Sequence, residues 1–279
     1  NGAGANITVN NAGNTFTGTV AFAGAGGLAN VTVRDTTAFD IIGLTLTGTL
    51  DVTSGVAITD SGGAINVATL KTSSVGGTTL DGANTVTSFT TGTNTGTGNI
   101  ALTNTVGTLT LSGINNSATG GTVTITNAGN IQLAGSPAVQ TAGGAIGITA
   151  TGSTISHGAA GIPLDINANG GAITLTATTV GAFGFDVLTS QPLTCVATTC
   201  FINGTSGSQT STLVSILSGI QAALTTEQSG PSELLTSGVL PENIFKSLGS
   251  QVLEIVGGAE GFGEIGGEGG EPVGVKVLD

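Results

Sequence analysis

The feature that most constrains this chain is a series of short segments in which every second residue is apolar. Clear examples are residues 30–33, 44–47, 121–127 and 170–177. A period of two predicts a β-strand with one buried face, and the threonines between the apolar residues suit the other, half-exposed face. Glycine and asparagine separate the segments and favour tight turns. Residues 1–200 therefore predict an all-β fold.

Among all-β folds, the composition favours a solenoid over a sandwich or a barrel. Turn signals recur about every ten residues, which fits all three architectures. Aromatic residues make up only 3% of the chain, however, and a narrow stack of coils is filled by aliphatic side chains. We expect about ten coils of about 20 residues each, stacked about 4.8 Å apart. Each coil would bury its apolar row only against its neighbours.

Internal repeats support the solenoid. Residues 143–150 and 170–177 share one Gly-Gly-Ala-Ile template. Three further elements recur later in the chain: Asn14 at Asn84, Asn30 at Asn99, and residues 44–48 at residues 109–113. The offsets differ from pair to pair, so we expect a repeat that drifts along the chain.

The composition changes after Phe201. Every glutamate of the chain lies beyond this point, and apolar residues now recur at i, i+3, i+4 and i+7, which predicts helices. We expect residues 201–256 to form a helical cap or assembly segment with helices at 211–226 and 241–256. The apolar stripes of these helices include Leu213, Ile216, Leu217, Ile244, Phe245 and Leu248.

Residues 257–279 combine a Gly/Glu-rich tract with a short alternating segment. The tract predicts a flexible linker. After it, Val273, Val275 and Val277 alternate with a glycine and a lysine and predict a β-strand. We expect these valines, together with the helical stripes, to join one copy of the chain to the next by strand addition. Such a head-to-tail contact does not close on itself, so it builds a filament.

Charge and hydropathy exclude two function classes. The chain has 4 basic and 16 acidic residues and a net charge of −12. Four scattered basic residues cannot neutralise a phosphate backbone, so we expect no nucleic-acid partner. No stretch of about 18 consecutive apolar residues occurs, so we expect no transmembrane helix. The chain contains no methionine, which indicates a processed form or a piece of a longer polypeptide.

Three segments carry a resemblance to a known family: residues 121–133, 143–156 and 170–178. In these segments, and in the repeated asparagine followed by a glycine-rich turn, the chain resembles filamentous-haemagglutinin-like exoproteins of bacterial two-partner secretion. It more loosely resembles autotransporter passenger domains. The resemblance covers about residues 6–180. It implies a right-handed parallel β-helix, export across two membranes, and adhesive or filamentous roles at the bacterial cell surface.

The two cysteines, Cys195 and Cys200, lie close together in sequence. An exported protein oxidises such a pair, so we expect a structural disulfide that pins a turn where the β region ends. Free thiols are the first alternative, and a metal or redox pair is the second. Metal binding needs further cysteine or histidine ligands, and the chain has only His157.

No pattern for catalysis or cofactor binding stands out. A lone His157 in a Ser-His-Gly context predicts an exposed turn residue rather than a general base. Residues 261–266 match G-x-G-x-x-G, but the glutamates around them would repel phosphate. The same glutamates could bind calcium loosely, although a solvated linker explains them better. We expect no catalytic residue, no cofactor, no metal site and no enzymatic activity.

Four aspartates lie near one another in the sequence: Asp35, Asp40, Asp51 and Asp60. If they met on one face, they could serve acid–base chemistry on a polysaccharide. Such aspartates more often cap turns. Because the β region has only one arginine and one lysine, it lacks the groups that bind an acidic sugar. A polysaccharide-active enzyme is therefore the last alternative.

Threonine-rich runs at residues 45–47, 122–126 and 174–176 would form a regular hydroxyl array, which is typical of ice-binding β-helices. Strand propensity alone also explains exposed threonine. Our main hypothesis is a secreted, non-enzymatic structural or adhesive protein of the bacterial cell surface that polymerises with its own copies. The alternatives, in order, are a segment of a large adhesin that binds host glycan or protein, and an ice-binding protein.

Overall fold

A computed structural model shows a stack of parallel β-strands. The residues that it describes are 4–23, 27–158, 164–181, 185–189, 191–202 and 205–206. They lie in one compact unit, Asn1–Leu217. Strands and turns make up this part of the chain, and no helix occurs in it.

The strands of the first half are short and closely spaced. They are β1 (Ala5–Val9), β2 (Thr19–Val20), β3 (Leu28–Asp35), β4 (Phe39–Ile41), β5 (Leu44–Thr45), β6 (Thr49–Ser54), β7 (Ile58–Thr59), β8 (Ile65–Ser74), β9 (Thr78–Asn94), β10 (Ile100–Asn104), β11 (Thr108–Leu111) and β12 (Ile114–Thr119). The second half continues with β13 (Val123–Asn127), β14 (Asn130–Leu133), β15 (Val139–Ala142), β16 (Ile146–Ala150), β17 (Thr154–His157), β18 (Ile166–Asn167), β19 (Ile173–Thr176), β20 (Thr179–Gly181), β21 (Val187–Leu188), β22 (Leu193–Val196), β23 (Thr199–Phe201) and β24 (Thr205–Ser206).

Each strand pairs in parallel with the strand one turn later. Val31 of β3 lies beside Leu50 of β6, Leu50 lies beside Leu70 of β8, and Leu70 lies beside Phe89 of β9. The same arrangement runs to the end of the described strands, where β21 pairs with β24. The chain is therefore a β-solenoid of about eight turns. This confirms the predicted fold class, with somewhat fewer coils than we expected.

Rows of stacked apolar side chains form the core. Inward and outward residues alternate along each strand, as in β13 and β16. The row that contains Val31, Leu50, Leu70 and Phe89 continues to Leu111, and every member is 0% exposed. Full burial of one such side chain stabilises the fold by about 1.5–3 kcal/mol. The predicted alternation thus creates one continuous core.

The number of residues per turn varies because the corner loops vary. Asn30 and Thr49 lie one turn apart and are separated by 19 residues, whereas Thr141 and Ala168 are separated by 27. The described strands on either side keep their parallel pairing in spite of this difference. This explains why the sequence repeat drifts.

One of the sequence repeats occupies equivalent positions in successive turns of the solenoid, and another does not. Ile146 pairs with Ile173, so the two Gly-Gly-Ala-Ile segments occupy the same place in successive turns. The Leu-Thr-Leu repeat is different, because Leu44 belongs to a row that reaches Asn104 and not Leu109. This repeat therefore does not mark equivalent positions in the stack. Similar strands recur on different sides of the solenoid.

The predicted helices at 211–226 and 241–256 and the predicted strand at 273–277 lie outside the described residues. So do all nine predicted assembly residues: Leu213, Ile216, Leu217, Ile244, Phe245, Leu248, Val273, Val275 and Val277. Their roles stay predictions. The described part of the chain contains no helix with the length and apolarity that a membrane span requires.

Candidate functional site

One side of the solenoid carries a ladder of threonines. Thr103, Thr126, Thr149 and Thr176 are direct partners in successive turns. Their side chains point outward because the residue before each of them faces the core. Parallel pairing repeats the hydroxyl group about every 4.8 Å along the solenoid axis.

A second outward row runs beside this ladder on the same strands. Its members in successive turns are Thr79, Ala101, Thr124, Gly147, Thr174 and Thr194. The two rows are two residues apart along each strand, which is about 6.7 Å. We call the two rows together the threonine face. The two rows form an uncharged lattice of hydroxyl and methyl groups that is interrupted at Ala101 and Gly147. Exposed Asp81, two residues after Thr79, borders this lattice at one end.

The structure places two of the three predicted threonine runs on this face. Thr124 and Thr126 come from one run, and Thr174 and Thr176 come from another. The third run lies elsewhere, since Thr45 pairs with Asn66 in a different column of strands. The alternating pattern predicts that threonine points outward. Which runs share a side depends on the lengths of the corner loops.

Buried polar side chains line one corner of the core, and we call them the inner polar row. Its members in successive turns are Asp35, Ser54, Ser74, Asn94, Asn116 and Thr141, each at most 2% exposed. They accept hydrogen bonds from the backbone at the corners. Gly77 N–H, in the preceding turn of the solenoid, donates to Asn94 Oδ1 at 3.0 Å, and Ala118 N–H, two residues further on, donates to Asn116 Oδ1 at 3.2 Å. Such side chains satisfy backbone groups that water cannot reach.

A shorter asparagine ladder lines a second corner. Asn84, Asn104 and Asn127 are stacked in successive turns and buried. Asn104 Nδ2–H donates to Asn127 Oδ1 at 3.0 Å, while Val86 N–H donates to Asn104 Oδ1 at 2.7 Å. Neither polar row was predicted from the sequence, although the asparagines that end β10 and β13 were a usable signal. The side chains of both rows form hydrogen bonds with the backbone at the corners. Because they are buried, they present no accessible site.

Two of the clustered aspartates are buried and hydrogen-bonded to the backbone. Asp35 caps its own turn, where it accepts the N–H of Thr37 at 3.1 Å. Asp60 instead accepts the N–H of Asp81 at 2.9 Å, one turn further along the solenoid. Both carboxylates are therefore used by the backbone of the fold. The turn-capping alternative is correct for Asp35.

The other two aspartates lie on different columns of strands. Asp40 of β4 accepts hydrogen bonds from Thr59 Oγ1 at 2.7 Å and from Ser61 N–H at 3.0 Å. Burial acts to raise the pKa of Asp40, but the hydrogen bonds from Ser61 and Thr59 outweigh burial and lower its pKa below the ordinary 3.8. Asp51 of β6 lies beside Lys71 of β8. The four aspartates thus share no site that could serve acid–base chemistry.

His157 ends β17 and continues a core row rather than occupying an exposed turn. It pairs with Leu133, which is 0% exposed. The imidazole is half-buried, and its Nδ1 atom has no hydrogen-bond partner among the described residues. The prediction of an exposed turn residue is wrong because the strand extends through residue 157 with this side chain in an inward position.

Two aspartates surround His157, and we call the three residues the His–Asp cluster. Asp165 is 0% exposed, its Oδ2 accepts the N–H of Asp186 at 2.9 Å, and its Oδ1 finds no partner within the described part. Burial raises the pKa of Asp165, although the hydrogen bond from Asp186 and the charge of His157 act against it. Burial also raises the pKa of Asp186, again opposed by His157.

Asp165 is closed to substrates. Because its side chain is fully enclosed, a substrate cannot reach its carboxyl group. In the described residues, no group of three or more His, Cys, Asp or Glu side chains could hold a metal ion. Asp165 is therefore a buried acid of the scaffold. The cluster was not predicted from the sequence because its members come from two successive turns.

Cys195 and Cys200 form a disulfide between β22 and β23. Both half-buried side chains pack against the apolar core. The bond closes the turn between two strands that pair with β19 and β20 of the preceding turn. It therefore ties together adjacent sides of the solenoid near the last described strands.

No family model, no curated protein and no solved structure matches this chain. The described part of the chain presents two notable surfaces, the threonine face and the end of the stack at β1. A function has to be inferred from what these surfaces can contact.

Proposed function

We propose that this chain is a non-enzymatic structural and adhesive rod of the bacterial cell surface. The observation that carries the proposal is the threonine face, an uncharged and regularly spaced outer surface on a continuous apolar core. A stack of parallel coils resists bending because each turn is bonded to both neighbours. Such a scaffold can present a row of identical groups along the solenoid axis, each of which makes one weak contact with a partner.

The chemistry of the threonine face suits a neutral glycan or a protein surface rich in hydroxyl and amide groups. Only 7% of the residues of the chain are charged, and both rows of the face offer hydroxyl donors and acceptors without charge. Single contacts of this kind are weak, but repeated contacts along a rod raise the overall affinity strongly. The expected partners are therefore cell-surface glycans or proteins rather than small molecules.

Binding to immobilised neutral oligosaccharides and to intact epithelial cells tests this proposal. Thr126→Lys combined with Thr149→Lys places two large charged side chains on the threonine face, and we expect at least a tenfold loss of binding. Thr110→Lys combined with Gln132→Lys is the matched control, because these outward residues are partners in successive turns on another side. Equal binding by both double variants would contradict an adhesive role for the face.

Ice binding is a second candidate function, and it rests on the in-register row Thr103, Thr126, Thr149 and Thr176. A lattice of hydroxyl and methyl groups can order a first layer of water without the strong hydration shells of charged groups. The chain has no Trp or Tyr, so it lacks the broadest aromatic platforms for stacking on crystalline sugars. The regular spacing therefore favours ice over a crystalline polysaccharide.

Thermal hysteresis and ice-crystal shaping test the second candidate. The wild-type chain should shape ice, Thr126→Lys should abolish the effect, and Gly147→Thr should strengthen it by filling a gap in the second row. Gly147 has open space around its missing side chain, so the fold accepts this change. If the wild-type chain leaves ice crystals as unmodified discs, the second candidate is wrong and the adhesive proposal is untouched.

A further inference from the structure

The strand β1 is paired on one side only. Ala5–Val9 lies in parallel register with β3, where Ile7 pairs with Val31 and Val9 pairs with Val33. Its other edge has no partner among the described residues. Native proteins usually protect such an edge with charged residues or proline. Residues 4–23 contain neither.

Within the described part of the chain, the core is also less covered at this end. Ile7 and Val9 are only half-buried, while Val31 and Val33 directly beneath them are 0% and 1% exposed. Phe16 is also only partly buried against the core. As far as the described residues go, this end therefore presents both an unpaired strand edge and apolar side chains without a covering layer. An added β-strand with apolar inward residues would pair with the free edge and cover these apolar side chains.

We propose that residues 273–277 of a second copy of this chain add to the free edge of β1. The segment has the length of β1 and alternates in the same way, with valines at three positions and glycine and lysine between them. In parallel register its valines would cover Ala5, Ile7 and Val9 and extend three apolar rows of the core. Lys276 would lie outward beside the uncharged Thr8, so no like charges would meet.

The chain between the described strands and this segment is long enough to reach a neighbour. Residues 207–272 connect them and include the Gly/Glu-rich tract. Because the donor segment and the acceptor edge are different surfaces, the contact is heterologous and repeats from copy to copy. Main-chain hydrogen bonds supply affinity and alternate side chains supply specificity, as in other cases of strand addition. The inference concerns the end of the solenoid and does not depend on what the threonine face binds.

Cross-linking between two single-cysteine variants tests the contact. Thr8→Cys and Lys276→Cys are prepared separately and mixed under oxidising conditions. Outward residues on paired strands are close enough for a disulfide, whose Cα atoms lie about 4.4–6.8 Å apart. We expect a reducible heterodimer from this mixture. A mixture of Thr126→Cys and Lys276→Cys should give none, because residue 126 lies on the threonine face.

Electron microscopy of the wild-type chain over a concentration series supplies the second measurement. We expect fibres that are lost after deletion of residues 272–279 and after Ile7→Lys. Fibres that survive the deletion without any cross-link would overturn strand addition. A Thr8→Cys, Lys276→Cys double variant that cross-links only within one copy would also overturn it. Because both assays measure assembly, loss of glycan binding alone would count against the proposed adhesive function and not against this contact.

Discussion

Asn104 donates a hydrogen bond from Nδ2–H to Oδ1 of Asn127, one turn further along the solenoid, at 3.0 Å. Both side chains are buried. An amide has a donor and an acceptor, so asparagines can repeat from turn to turn without burying charge. A slip in the pairing of neighbouring turns would leave these groups unpaired in the core, so the ladder fixes the register of the stack.

Replacing Asn104 by alanine should lower the free energy of unfolding by about 3 kcal/mol, since it leaves several buried polar groups without partners. The groups affected include the N–H of Val86, which donates to Asn104 Oδ1 at 2.7 Å, and the Oδ1 of Asn127. Urea unfolding followed by circular dichroism measures the change. Thr103→Ala is the control, because this outward residue is exposed and its loss should alter stability by no more than about 0.5 kcal/mol. Equal effects of the two substitutions would show that the asparagine ladder contributes nothing to the free energy of unfolding.

Two neighbouring glycines should respond in opposite ways to alanine. A Cβ atom on Gly144 would collide with the backbone carbonyl oxygen of Gly121 in the preceding turn, and we expect Gly144→Ala to cost about 3 kcal/mol. A Cβ on Gly147 meets nothing within 4 Å. Gly147→Ala should therefore stabilise the chain by about 0.4–1 kcal/mol through the unfolded state. Thermal unfolding of both variants measures the two changes in stability. A Gly144→Ala variant as stable as the wild-type chain would contradict the close approach of these turns.

The His–Asp cluster should make stability fall as pH rises. Burial raises the pKa of Asp165 and of Asp186 above the ordinary 3.8. Between pH 3.8 and the raised values the folded chain holds more protons than the unfolded chain, so the free energy of unfolding decreases as pH increases through this window. Asp165→Asn removes the buried charge and keeps an acceptor for the N–H of Asp186. It should flatten the profile of urea unfolding above pH 4.

Asp40→Asn is the control for this profile. Hydrogen bonds lower the pKa of Asp40 below 3.8 in spite of burial. Its contribution is therefore present above pH 3.8 and is lost only as pH falls through the lowered value. The slope between pH 4 and pH 7 should match that of the wild-type chain. An unchanged slope in Asp165→Asn would show that the cluster does not govern the pH dependence.

Reduction of the disulfide between Cys195 and Cys200 should have a small effect. The cysteines are five residues apart in sequence, and closing so short a loop contributes about 2 kcal/mol in the chain-entropy view. Cys195→Ser combined with Cys200→Ser should lower the midpoint of thermal unfolding by several degrees and leave the strand signal in circular dichroism intact. Val196→Ala, an exposed change inside the loop, is the control. Complete unfolding on reduction would contradict this minor role.

Local alternation is enough to predict the fold class of this chain. Runs such as residues 121–127 alternate apolar residues with threonine, and an apolar side chain at every second position can be buried only by a strand. The structure confirms strands there, at β13, and places Val123 and Ile125 at 0% exposure. The same local reasoning predicted the glycine-rich turns, and its turn-capping alternative holds for Asp35.

Reasoning of this kind fails where a position depends on the number of residues per turn. Leu44 and Leu109 stand in nearly identical segments but lie in different rows, because corner loops of unequal length shift the chain around the axis. His157 could not be assigned an inward position until its pairing with Leu133 was known.

The sequence by itself therefore determined that residues 1–200 form strands, that the apolar side chains of these strands are buried, and that the outer surface of this region is rich in threonine and poor in charge. Those properties follow from the chemistry of single residues and their nearest neighbours. Only the tertiary structure decided which strands stack. That choice aligned Thr126 with Thr149, joined Asn104 to Asn127 and brought Asp165 to Asp186. The physical reason is that contacts between turns span about 20 residues, a distance set by the summed lengths of strands and loops rather than by any local pattern.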